Sequence, residues 1–503
     1  MNNTTQPGTR SIFQEMLRGS SWAVLSRWST RGIGLVSTMI LARLLTPQDF
    51  GIFAMASIVT GFLRLCTELG PDTFVLRSGA ATPELCDTAW TIQVIQGAVV
   101  GALLMLGAPL AVAFFHEPRL TPVFFVMAGT AAVGGLQNIG MTLVRKDLDF
   151  AKDFRFLLYK RLFNFAAVIP LAFILRSYWA PVFGALASTV ITVLLSFGMH
   201  GYRPRLRLHR AREILVFGAS ILISNIGTFF NTKADVVLVG HISTTAGMGQ
   251  YNVAAELGSM ATAEIVTPVG RALLPAYSKV AHDRELLKAA YLKSIGAIAL
   301  LALPLGVGLS AISPDAVRVV LGDQWLRAIP LLRWLAIYAV LKSLIDSIVG
   351  RVLVVIGKEW LMSALGWMRT GILVALIAAA AAFQGVGAVP AAATLSAALA
   401  LPVVLYKVSK AFGMPVRQLL GHLWRPVVAA VLMAAVILAF RPYVDGLLVR
   451  LFCEVLVGGA TYVTCVLFFW WIGGRPASIE ADCWKLVVAK LRRPSSAANP
   501  INP

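Results

Sequence analysis

The chain has 503 residues, of which 58% are hydrophobic and only 14% charged, with 44 Lys and Arg against 24 Asp and Glu. A mean hydropathy of +0.76 is more apolar surface than a soluble core can hide, so composition excludes a soluble globular protein and indicates a polytopic membrane protein. The formal charge of +20 would suit nucleic acid, but the basic residues gather in short segments between apolar stretches, where they set topology.

Residues 1–19 come first, with Ile12, Phe13, Met16 and Leu17 on one helical face and Arg10, Gln14, Glu15 and Arg18 on the other. This pattern predicts a short in-plane helix at the cytoplasmic surface. The next segment, 20–43, is apolar but carries arginines and no convincing cleavage site, so it reads as a retained first span rather than a signal peptide. Together with the second span, 50–69, it holds Arg27, Arg31 and Arg64. A charge at the bilayer centre costs roughly 2.5 to 3.5 kcal/mol, so the three guanidiniums are expected to face a wet cavity that attracts an anion. Arg27 and Arg31 are four residues apart on one helical face and suit a pyrophosphate, whose oxygens match the planar fork. The alternative is that these arginines snorkel to an interface or pair with acids such as Glu68.

Spans three to six are predicted over 88–115, 120–143, 156–175 and 180–200. Between them lie the set Arg145, Lys146, Lys152 and Arg155 and, after the sixth, the tract Arg203, Arg205, Arg207, Arg210 and Arg212. Both read as positive-inside anchors touching anionic head groups. Lys160, four residues before Asn164, is expected at the same interface.

In the seventh span, 212–238, Asn225, Thr228, Thr232 and Asp235 recur at helical spacing, with Lys233 beside them. Lipid does not tolerate such a stripe, so it is expected to line the cavity. Asp235 has two readings, a coupling-cation ligand or a structural pair. The eighth span, 247–270, places Asn252, Glu256 and Ser259 on one face and Glu264, Thr267 and Arg271 on another, the last set suggesting a local Glu264 to Arg271 pair. Spans nine to fourteen are predicted over 289–312, 329–350, 361–383, 385–406, 424–440 and 450–472, with Lys342 and Asp346 as an intrahelical pair in the tenth. The tail, 475–503, then returns to the cytoplasm. With both termini there, about 27 Lys and Arg lie inside and about 7 outside, which selects this orientation.

Cys66, Cys86, Cys453, Cys465 and Cys483 show no paired ligand spacing, and neither a Walker-type loop nor a catalytic constellation is present in the sequence. No metal, no cofactor and no enzyme activity are expected. A weak repeat supplies the architecture: LARLLTPQDFGIFAMA from Leu41 aligns without gaps on VGHISTTAGMGQYNVA from Val239, so that Thr46 meets Thr244, Gly51 meets Gly249 and Phe53 meets Tyr251. It predicts an all-α protein of about 14 transmembrane helices with two parallel six-helix lobes, 20–204 and 205–410, and two appended helices over 411–474.

ARLLTPQDFGIFAMA with ELGPDTFVLR downstream, NTKADVVLVGHISTTAGMGQYNVAAELGSM followed by PAYSKV, and LGDQWLRAIPLLRWLAIY together resemble the WzxC-like branch of the polysaccharide-transport flippases. One departure is His241, which stands where Lys or Arg is frequent. The resemblance implies the fold of the multidrug/oligosaccharidyl-lipid/polysaccharide exporters and a multi-pass place in the bacterial inner membrane. It also implies movement of an undecaprenyl-pyrophosphate-linked oligosaccharide to the periplasmic leaflet, with a polymerase and a chain-length regulator as pathway partners. Two other classes compete. A drug or cation antiporter of the same fold would want an acid-dominated cavity, and a membrane polymerase or acyltransferase would want large external loops.

Overall fold

Apolar runs that meet no water must satisfy every backbone group within the segment, and the described residues do so with helices. The computed structural model describes residues 29–79 and 81–473, and among them there is no strand. The helices are α1 (29–44), α2 (Pro47–Thr67), α3 (Pro71–Arg77), α4 (Pro83–Phe115), α5 (Leu120–Gly135), α6 (Gly140–Lys146), α7 (Phe150–Leu175), α8 (Trp179–Met199) and α9 (Ala211–Ile242). They continue as α10 (Thr245–Lys279), α11 (Arg284–Val320), α12 (Ala328–Val355), α13 (Glu359–Gln384), α14 (Val389–Phe412), α15 (Val416–Phe440) and α16 (Leu447–Ile472). The in-plane helix expected over 1–19, the tail over 475–503 and Arg27 lie outside the described residues.

Every predicted span falls on a helix, but the count of fourteen is not reached by length and apolarity. Eleven described helices are long and apolar enough to cross a membrane, or twelve if α5 and α6, bent by 56° at their junction, are one span. The bend is built by Asn138, whose side-chain oxygen accepts from the Gly140 N–H at 2.9 Å and so starts α6 in a new direction. Outside the eleven stand α1, described only from residue 29, and α10, which carries Gln250, Asn252, Glu256 and Glu264 along its length.

Contacts divide the chain into two compact units, the first ending at Asn252 and the second beginning at Val253. The first unit takes in α9, which packs on α2, α3 and α4, whereas the repeat draws its lobes at 204/205. Within this unit α2 begins at a full capping box. Thr46 Oγ1 accepts from the Asp49 N–H at 3.3 Å and Asp49 accepts from the Thr46 N–H at 2.9 Å, with Pro47 in the first turn. The start of α10 crosses it at glycines. A methyl group on Gly51 would fall on the Thr245 carbonyl oxygen, and one on Gly249 on the Pro47 carbonyl oxygen. Repeat equivalence maps Pro47 to Thr245 and Gly51 to Gly249, so the two contacts are one contact used twice.

Overpacking such a site costs about 1–3 kcal/mol. Gly51→Ala and Gly249→Ala are therefore each expected to lower the thermal midpoint of the purified protein. Gly61→Ala on the same helix, where an added methyl meets nothing within 4 Å, is expected to leave it unchanged or raise it, because alanine is the better helix former. Equal midpoints for Gly51→Ala and Gly61→Ala would show that the crossing yields freely.

In the second unit, α11, α12, α14, α15 and α16 pack around an aliphatic core. Tyr291 stacks on Phe412 with ring centroids 4.9 Å apart and donates its hydroxyl to the Ile348 carbonyl at 2.7 Å, so its one polar atom is satisfied inside that core. Asp346 is held from α13 by Arg369 at 2.7 Å, an interhelical partner where the sequence pattern offered Lys342. At the far end of α11 the fully buried Asp315 takes Arg450 in a fork, Nη2 at 2.6 Å and Nε at 3.1 Å, and Arg441 at 2.9 Å. Glu454, also fully buried, lies 3.9 Å from Arg441. Two acids and two arginines thus tie α16 and the turn after α15 to α11.

Candidate functional site

Several helices of the first unit, α2, α4, α5, α7 and α8, turn residues toward one cavity of about 280 Å³. From α2 come Thr60, Arg64 and Thr67, from α4 Gln93 and Gln96, from α7 Lys160, and from α8 Thr189 and Thr192. Close approach of α4 and α5 shapes one wall, for a methyl on Gly97 would sit 2.7 Å from the Ala131 carbonyl oxygen.

The hydrogen bonds in this lining leave a defined remainder. Thr60, Thr67, Thr130, Thr189 and Thr192 each donate to the carbonyl four residues back in their own helix, at 2.7–3.0 Å. Their hydroxyl lone pairs stay free to accept. Gln96 donates its amide to the Thr67 carbonyl at 2.6 Å, and Gln93 donates to the carbonyls of Gly135 and Gln137 at 3.3 and 3.1 Å. A carbonyl oxygen only accepts, so the NH₂ side of each amide is fixed and the Oε1 is left for a ligand. The acids of the lining are engaged by neutral donors: Glu68 accepts from the Gly70 N–H at 3.1 Å and Asp72 from the Thr142 hydroxyl at 2.8 Å. Among the described residues, neither Arg64 nor Lys160 forms an ion pair. The cavity therefore offers many acceptors, among them the carboxylates of Glu68 and Asp72, and two cations outside any ion pair, which suits a ligand rich in hydroxyl donors that also carries an anion.

A family model described as Polysaccharide biosynthesis protein matches residues 40–330, more than half of the chain. The chain belongs to that family. It is 24% identical over 338 residues to the lipopolysaccharide biosynthesis protein WzxC of Escherichia coli (strain K12), covering 66% of this chain and 68% of that one. With an uncharacterized membrane protein in the cps region of Klebsiella pneumoniae it shares 22% identity over 466 residues, 91% of this chain and 95% of the other. Among solved structures, the lipid II flippase MurJ in an inward closed conformation superposes with a TM-score of 0.73 at 14% identity, covering 89% of this chain and 98% of that chain. That likeness is one of fold, and it agrees with the exporter architecture implied by the sequence.

In this family member the site residues read from sequence part company. Arg64 lines the cavity; Arg31, half-buried on α1, does not. Asn225 donates to the Leu65 carbonyl at 3.3 Å and so ties α9 to α2. Thr228 and Thr232 donate to their own helix and, with Lys233, are exposed outside this cavity. Asp235 is buried and accepts from the Tyr251 hydroxyl at 3.2 Å. Asn252 is half-buried and Glu256 exposed on α10, while the side chains of Glu264 and Arg271 lie outside the described ones. Lys160, expected at the cytoplasmic interface, stands in the cavity wall. Gln93 and Gln96 were missed, although two amides three apart in an apolar span carry the same signal as the seventh-span stripe.

A second polar group closes the opposite end of α4. Glu117, in the turn before α5 and only 6% exposed, receives Arg119 Nε at 2.7 Å and Nη2 at 2.9 Å and the Thr245 hydroxyl at 2.6 Å. His241 donates Nδ1–H to the Phe114 carbonyl at 2.6 Å and stacks on that ring, which gives the missing cation of this loop a packing role instead. The Arg119 hydrogen bonds pull the Glu117 carboxyl from 4.5 to about 2. Its folded value lies below its unfolded one, so the stabilisation is complete above about pH 4.5 and fades as pH falls toward about 2. Glu117→Gln is expected to flatten the acid limb of the thermal stability profile. An acid limb as steep as the wild type's would assign that limb to other carboxylates.

Proposed function

We propose that the protein is a flippase that moves an undecaprenyl-pyrophosphate-linked oligosaccharide from the cytoplasmic to the periplasmic leaflet of the inner membrane by alternating access. One observation carries the reading: Arg64 and Lys160, without acid partners among the described residues, stand in a cavity whose other polar atoms mostly accept. Sugar hydroxyls desolvated in hydrocarbon would cost several kcal/mol each unless hydrogen-bonded, and this wall supplies acceptors for them while the two cations meet phosphate. The charge asymmetry supports a cytoplasmic place for both termini and the Arg203 to Arg212 tract, and the lobes 20–204 and 205–410 act as the two halves of the alternating-access cycle. The name of the E. coli relative, a lipopolysaccharide biosynthesis protein, supports exopolysaccharide or lipopolysaccharide assembly as the pathway. An antiporter of the same fold would want an acid-dominated cavity, whereas this lining matches Glu68 and Asp72 with Arg64 and Lys160.

Outward movement of the anion is favoured by about 2.3 kcal/mol per charge per 100 mV when the cytoplasm is negative. Proteoliposomes carrying a lipid-linked oligosaccharide decide the assignment. Translocation driven by an imposed potential and retained in Asp235→Asn is expected; loss of it in a folded Asp235→Asn protein would favour cation coupling at that residue. No translocation under either gradient would overturn the flippase reading.

A further inference from the structure

The segment joining α8 to α9 has no regular secondary structure over 200–208, and a backbone without its own ladder must find partners elsewhere. Buried polar side chains supply them. Asp87 and Thr91 on α4 are 4% and 5% exposed, and Asp87 Oδ1 accepts both the Tyr202 hydroxyl at 2.6 Å and the Arg205 N–H at 2.9 Å. Thr91 Oγ1 accepts the Arg207 N–H at 2.9 Å, and Asn138 donates to the Tyr202 carbonyl at 2.8 Å. The segment is therefore held against α4 in one register by side chains one turn apart on that helix.

Arg203, Arg205, Leu206, Arg207 and Leu208 are all exposed. Two of the five arginines in the tract are engaged locally: Arg203 donates to the carbonyls of His200 and Tyr202, and Arg210 pairs with Glu213 at 2.6 Å. Arg205 and Arg212 are exposed and form no ion pair among the described residues, and Arg207 reaches Asp87 only at 3.9 Å. The leucines are as conspicuous as the arginines, with Leu206 70% and Leu208 51% exposed and Val216 at the start of α9 69% exposed.

We propose that residues 205–212 form a fixed comb that binds the phosphates of anionic phospholipids through Arg205, Arg207 and Arg212 while Leu206 and Leu208 enter the acyl boundary. Apolar side chains interleaved with arginines at the end of a bundle of spans fit a lipid surface. A soluble polyanion would satisfy the arginines and leave the leucines in water. Charge and shape thus select the bilayer, and the register set by Asp87 and Thr91 holds the comb at one depth. Nothing in this inference depends on what the protein transports.

The test uses the full chain in vesicles of phosphatidylcholine with and without phosphatidylglycerol. Wild type is expected to gain thermal stability with phosphatidylglycerol, and the gain is expected to fall as salt screens the contact. Arg205→Gln/Arg207→Gln/Arg212→Gln is expected to lose at least half of that gain while keeping the phosphatidylcholine midpoint. Lys407→Gln/Lys410→Gln is expected to keep it. A nitroxide at Leu206→Cys, in a background with the five native cysteines replaced, is expected to be relaxed more by oxygen than by an aqueous nickel chelate. An undiminished gain in the triple variant, a nitroxide reached chiefly by nickel, or equal stabilisation by heparin would each overturn the proposal.

Discussion

Asp315→Asn is expected to destabilise the second unit by about 3 kcal/mol, the lower end of what is seen when one partner of a buried ion pair is removed. The wild-type carboxylate accepts three charge-assisted hydrogen bonds from Arg441 and Arg450 at 2.6–3.1 Å. An amide oxygen keeps part of that geometry but none of the charge, and it leaves two guanidiniums facing each other with only Glu454 to balance them. The arginine side chains are each 22% exposed, so water relieves some of the penalty, which is why the lower figure applies. Replacing the whole set with apolar residues of similar volume is expected to cost far less, since the desolvation of the ions disappears with their attraction. Thermal midpoints of Asp315→Asn, Arg450→Met and the double variant measure the coupling. Additive losses would show that Asp315 and Arg450 act independently.

Loss of transport without loss of fold is expected for Arg64→Ala and for Lys160→Ala. Each cation that meets a phosphate through a charge-assisted hydrogen bond contributes about 1.5–3 kcal/mol, which corresponds to a drop of about ten- to hundred-fold in the initial rate of flipping at limiting substrate. Neither residue has an ion-pair partner among the described residues, so removing one leaves no acid stranded and the thermal midpoint is expected to hold or rise. Arg64→Lys separates charge from shape: it keeps the charge but cannot offer the two parallel donors of the fork, and is expected to recover only part of the rate. Full activity in the Arg64→Ala/Lys160→Ala protein would move the anion site away from this cavity.

How far these residues were legible depended on what each one's signal required. Arg64 announces itself because a guanidinium in an apolar run must find a wet cavity, an acid or the interface, and each of these marks it out. Lys160 does not, because it follows Arg155 and the basic set before it closely enough to read as one more interfacial anchor; only the packing of α7 on α8 shows it at the cavity wall. The knot of Asp315, Arg441, Arg450 and Glu454 joins positions more than a hundred residues apart, and no periodicity in either segment points to the other. The repeat was visible at Gly51 and Gly249, yet the reason both are glycine appears only where Pro47 and Thr245 bring their carbonyls to them.

By itself the sequence determined the class, the helical nature of every span and the family, because apolar length, charge asymmetry and local motifs are properties of each segment that survive without knowledge of its neighbours. Tertiary structure decided which polar residues share a cavity, which acids are already engaged and which cations remain. Those are facts about atoms from different helices within hydrogen-bond reach of one another. A helix face chosen by 3.6-residue spacing says only that a side chain leaves the lipid, whereas the partner it meets is fixed by how the neighbouring helices pack.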